Sequence, residues 1–158
     1  SVSAFLLNRS SDLKIYMEPE LKAKLLHNLN TREPYTQHNH IVISDIGEGT
    51  SRIELDLKPE SLNRLGRPHG GILFTLADDA CGVALSGLRQ ETCVTVSSTM
   101  DFMAAAELGD HLIATGQVIR AGRRTCFCQA EVKTAEGKLL PMCHSVWAYT
   151  GKPLDLKD

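Results

Sequence analysis

A chain of 158 residues that is 42% hydrophobic can bury one continuous core and is too short for several. Its formal net charge of −2 excludes a broad positive field of the kind that gathers nucleic acid or an anionic membrane surface. No apolar run approaches the roughly 20 residues that span a bilayer, and the first residues carry no basic stretch ahead of a hydrophobic core, so a soluble, unprocessed, cytoplasmic protein is expected.

The single domain is expected to fill residues 1–158, with an N-terminal extension over 1–40 and a core over 41–149. Within the extension, Leu21, Leu25, Leu26 and Leu29 follow Pro19 at helical spacing and predict a short amphipathic helix. Thr31 to His40 is polar and reads as a connector. Ile41 to Ile43 and Arg52 to Leu57 then form a predicted antiparallel pair around Gly47-Glu48-Gly49, the second strand alternating with a period of two. Lys58 to Pro68 contains Pro59, Asn63, Gly66 and Pro68, which marks a loop.

Gly70 to Ser86 is too long for an ordinary strand and nearly apolar around its circumference, so it predicts a helix buried on most sides, with Gly87 as the stop. Four strand-like runs follow: Thr92–Phe102, His111–Arg120, Thr125–Thr134 and Leu139–Tyr149. Their spacing predicts a meander and, with the earlier pair, an α+β domain whose sheet wraps a central helix. The odd set of cysteines, Cys81, Cys93, Cys126, Cys128 and Cys143, sits mostly in apolar segments where a free thiol behaves as a small hydrophobe, which fits a reducing compartment. Cys126, Cys128, Cys143 and His144 lack the intervening loop of zinc motifs, so no metal is expected.

Asp78 and Asp79 stand in the middle of the apolar helix and must face different ways. Asp79 shares a stripe with Thr75 and Ser86, a partly polar surface, whereas Asp78 shares one with Phe74, Cys81 and Leu85 and is expected to be the more desolvated. Burial raises a carboxyl's pKa and suits it to act as a base near neutrality. The plainer alternative is a structural ion pair. Pro68-His69-Gly70-Gly71 leads into the same helix, where unpaired backbone N–H groups and the helix dipole can stabilise charge developing on a carbonyl oxygen. Gly70 and Asp78 are separated by roughly 12 Å at helical rise, so one carbonyl touches both only if two chains share a site.

The string Asn63-Arg64-Leu65-Gly66-Arg67-Pro68-His69-Gly70-Gly71, followed by Leu76-Ala77-Asp78-Asp79-Ala80, resembles the hotdog-fold acyl-CoA thioesterases of the phenylacetate-pathway (PaaI-like) type. The resemblance runs from about Ile41 to Tyr149 and implies a curved antiparallel sheet around a central helix, assembled as a homodimer that pairs into a homotetramer. It implies hydrolysis of an acyl-CoA, with coenzyme A as part of the substrate and no cofactor. By the same match Asp78 is base or nucleophile, Gly70 polarises the carbonyl, and Asn63 and His69 support that side. Thr95 orients the carboxylate or is an ordinary strand residue, and at least one of Arg120, Arg123 and Arg124 meets the CoA phosphates. Two other functions fit a hotdog domain: acyl-CoA binding without hydrolysis, and hydration of an enoyl-CoA or dehydration of a hydroxyacyl-CoA.

Overall fold

A computed structural model describes residues 17–157; the first sixteen residues of the expected extension lie outside the described residues. Helix α1 covers Pro19–Thr31 and a short α2 covers Pro34–His38, within the stretch expected to be a connector. Proline fits the first turn of each, where its missing N–H costs nothing. Strands β1 (Val42–Gly47) and β2 (Thr50–Asp56) precede a 3-10 turn at Pro59–Ser61 and the central helix α3 (Gly70–Arg89). Strands β3 (Glu91–Phe102), β4 (His111–Ala121), β5 (Thr125–Thr134) and β6 (Leu139–Pro153) complete the chain.

The six strands form one antiparallel sheet in the order β1-β2-β4-β5-β6-β3. The expected meander holds for β4, β5 and β6 only. Strand β3 pairs with β6, as in Thr95↔Trp147, because α3 carries the chain across the sheet from β2 to the opposite edge. Strand β2 is left to pair with β4, as in Ile53↔Ala114.

The sheet closes tightly on α3 because the helix presents Ala77, Ala80 and Ala84, each fully buried. Ser51 Oγ donates to the Ala80 carbonyl at 2.6 Å, and a Cβ on Gly116 would stand 2.2 Å from that same oxygen, so β4 needs glycine there. Gly87 is likewise a point of contact and not the expected stop, since a Cβ on it would lie 2.1 Å from the Gly47 carbonyl oxygen. The helix ends at Arg89, where Gln90 turns left-handed at φ 48°. At 20 residues α3 is long and apolar enough to cross a membrane, against the sequence expectation, but 61% of its most apolar window is buried inside the protein.

The two edges of the sheet differ. Along β1, Leu25 of α1 is fully buried, and the Asn30 side chain pairs with Ile43 as a strand would, its amide donating to the carbonyl and its Oδ1 accepting from the N–H, both at 2.9 Å. Along β3, Val94, Val96 and Phe102 are each more than half exposed.

Candidate active site

Asp78 projects from the middle of α3 toward β3, where Thr95 Oγ1 lies 3.2 Å from each carboxylate oxygen. One hydroxyl proton serves both oxygens and holds the carboxylate against the strand. Asp78 is half-buried, and that burial raises its pKa above the ordinary carboxylate value while the Thr95 bond pulls the other way. The structure therefore brings together the expected carboxylate and the expected hydroxyl residue.

Asp79 overturns the expectation that Asp78 is the more desolvated of the pair. Within the protomer Asp79 is the more buried, and its carboxyl is pushed up to about 7, first by burial and then by the negative charges of Glu33 and Asp78. Its Oδ2 is shut off from solvent and has no hydrogen-bond partner among the described residues. The helical stripe counted only the neighbours within α3. What covers Asp79 comes from elsewhere: Leu29 of α1, Glu33 before α2 and Leu154 of the C-terminal tail line the same cavity of about 400 Å³ as Asp78, Asp79 and Thr95. The sequence offered no signal for Glu33 and Leu154, because their partners are far away in the chain.

The glycine end of α3 forms a second group. His69 is the N-cap, its Nδ1 accepting from the Gly71 N–H at 2.9 Å, which leaves the ring proton on Nε2 when the imidazole is neutral. The Gly70 N–H has no acceptor among the described residues. Asn63 organises the loop ahead of it: Oδ1 accepts from Leu65 N at 2.8 Å and from Arg67 N at 3.2 Å. The Phe102 ring stands against Gly70, 3.6 Å from where a Cβ would be. This group and Asp78 are not brought together in one chain, being roughly 12 Å apart along α3.

The arginines form a third group near the C-terminal end of α3. Arg123 and Arg124 line an open cavity of about 410 Å³ with Gly122 and Thr125, whereas Arg120 lies apart on β4 and lines a different one. Sequence reasoning missed the residue that holds this turn. Arg89 donates from Nη2 to Gly122 O at 2.7 Å and from Nη1 to Arg123 O at 3.0 Å, and its guanidinium stacks 4.6 Å from the Tyr149 ring centroid. A lone cation ending an apolar helix was the available signal. Among the described residues no cluster of His, Cys, Asp or Glu is placed to hold a metal ion.

Comparison with known proteins bears on this geometry. Residues 65–141 match the family model described as the thioesterase superfamily. The chain is 32% identical over 109 residues to a putative esterase of Deinococcus radiodurans, covering 68% of this chain and 73% of that one. It is 30% identical over 102 residues to the acyl-coenzyme A thioesterase PaaI of Escherichia coli K12, covering 65% and 72%. A putative esterase of Archaeoglobus fulgidus is 32% identical, and the match spans 63% of this chain and 64% of that relative's length. Among solved structures, the E. coli PaaI protein superposes with a TM-score of 0.79 at 26% identity over 85% of this chain and 99% of its own. A hypothetical thioesterase of Streptococcus pneumoniae, solved with coenzyme A, superposes at 0.68 with 28% identity over 72% and 90%.

Proposed function

The chain belongs to the thioesterase superfamily, with the hotdog fold of its PaaI-like members, and on that premise we propose that it hydrolyses acyl-CoA to free acid and CoA at a site shared by two subunits. The observation that carries this reading is the half-buried Asp78, bonded by Thr95 and facing a cavity large enough for an acyl group. Asp78 either takes a proton from water, which attacks the thioester carbonyl, or attacks that carbon itself. In both routes the carbon–sulfur bond breaks and the departing CoA thiolate gains a proton; in the second the acyl group is left on Asp78 as a mixed anhydride, which water cleaves to release the free acid and restore the carboxylate. The developing oxyanion needs a donor, and the Gly70 N–H is suited to it.

Strand β3 supports the shared site. It carries Thr95 beside Asp78 and Phe102 beside Gly70, it is an edge strand of the sheet, and its Val94, Val96 and Phe102 are each more than half exposed. An uncovered apolar edge favours pairing with another strand. Antiparallel pairing of β3 with its copy about Ser98 would set Thr95 opposite the partner's Asp101, one residue from its Phe102, and so bring Asp78 toward the partner's Gly70. The assembly is then a homodimer, and the resemblance to PaaI-like members supports its pairing into a homotetramer. Arg123 and Arg124, held by Arg89, are placed for the CoA phosphates, and Arg120 is the third candidate. Five free thiols suit a cytoplasmic setting.

The test is thiol release from short, medium, long and aromatic acyl-CoAs, with light scattering on the same sample. Release that falls at least about a hundredfold in Asp78→Asn, from particles of more than one chain, supports the reading. Binding without release, or undiminished release by the variant, contradicts it.

A further inference from the structure

The cavity beside Asp78 is lined in part by segments of the chain outside the family match. Leu29 and Leu154 both line it, and neither lies within residues 65–141. They belong to segments at opposite ends of the described chain that are clasped together. Asn28 Nδ2 donates to Asp155 O at 2.8 Å, and Arg32 Nη1 donates to Asp155 O at 3.2 Å and to Lys157 O at 3.0 Å. Arg32 also pairs with the Asp155 carboxylate at 3.5 Å. The tail is pinned in turn to the end of α3, since the Leu154 N–H donates to Gln90 O at 2.9 Å.

The lining follows α3 from Asp78 past Gly82 and Val83 to Ser86. Eight residues of helix amount to roughly 12 Å. An extended hydrocarbon advances about 1.25 Å per carbon, given a C–C bond near 1.5 Å and an angle near 111°. The groove thus matches an acyl chain of about ten carbons. Glu33 and Asp79 line the same cavity, so a chain ending in a carboxylate would meet the charge of Glu33, and that of Asp79 where it is ionised, while an uncharged one would not.

Building on the thioesterase reading, we propose that the clasped N- and C-terminal segments form the end wall of the acyl groove. Leu29 and Leu154 set the longest uncharged acyl chain accepted, and Arg32, which does not line the cavity, positions the wall. This is a division of labour: α3 and β3 supply the chemistry, and the clasp supplies the length limit.

The experiment measures affinity of the full chain for acyl-CoA analogues in which a methylene replaces the thioester sulfur, with acyl lengths from about four to sixteen carbons. Affinity of the native protein should rise to about ten carbons and fall at least fivefold by about fourteen. Leu29→Trp should move that break to chains shorter by about two carbons or more. The double variant Leu29→Ala, Leu154→Ala should remove the fall, and Arg32→Ala should blur the break while leaving affinity for the six-carbon analogue within about twofold. A native affinity indifferent to length, or a break that stays in place in both leucine variants, overturns the proposal. Thiol release is read separately. A length break without release would refute hydrolysis and leave the wall standing, whereas release without a break would do the reverse.

Discussion

Asp78 and Asp79 are consecutive residues of one helix with opposite fates. Asp78 faces an edge strand and has a hydroxyl partner, so its carboxylate is held in place, only half-buried, and open to a cavity. Asp79 faces the N-terminal segment and the C-terminal tail, has no partner for Oδ2 among the described residues, and is pushed up to about 7. With Asp78 as the proposed reacting group, a raised pKa does not by itself mark that group. A carboxylate that is fixed, reachable and hydrogen-bonded through its ionised form is the better base, even when its neighbour is the more perturbed.

Exchanging each carboxyl for an amide breaks that comparison most sharply. Asp78→Asn should lower kcat by about a hundredfold or more, while Asp79→Asn should stay within about tenfold of native, both read by thiol release at matched assembly state. Comparable losses in the two would erase the distinction.

Stability should respond the other way round. The Asp79 carboxyl binds its proton more tightly in the folded chain, about 7, than at its ordinary value of 3.8, so the folded state is favoured at low pH and loses stability as pH rises through that interval. Asp79→Asn should remove this slope and gain about 2 to 4 kcal/mol on native protein near pH 8, measured by denaturant midpoints across the range. Identical slopes would mean that the carboxyl finds a partner in solution.

Away from the carboxyls, Arg89→Ala should release the turn at Gly122 and Arg123 and raise KM about tenfold with kcat nearly kept. The smallest effect expected is Thr95→Ala, which removes one hydrogen bond to Asp78 and should lower kcat roughly fivefold. A larger loss with Thr95→Ala than with Asp78→Asn would transfer the central role to the hydroxyl.

Much of the fold was legible because its signals are local. The apolar run from Gly70, the alternation in β2 and the turn residues between the later strands each report their own segment. Pairing was less legible: the place of β3 beside β6 depends on how α3 crosses the sheet, and the meander was the simpler arrangement consistent with spacing alone. Gly87 misled for a related reason, since its role is contact with the Gly47 carbonyl and not helix termination. In the site, Asp78, Thr95, His69 and Gly70 stood out through motif and helix position, and Asn63 proved to serve its own loop. The burial of Asp79 and the meeting of Leu29 with Leu154 at one cavity were hidden because each is defined by residues distant in sequence, whereas Arg89 was marked only by its place at the end of an apolar helix.

The shared site is tested most directly by mixing two inactive chains. Asp78→Asn removes the carboxylate, and Gly70→Pro removes the backbone N–H at the first helical position, where proline is tolerated and His69 already has the extended ψ of 135° that precedes proline. Each variant alone should lose about a hundredfold or more. Unfolding and refolding them together in equal amounts should restore about one quarter of native activity, because half the dimers are mixed and each mixed dimer has one site with both groups intact. Mixtures no more active than the separate variants would contradict a site built from Asp78 of one subunit and Gly70 of the other.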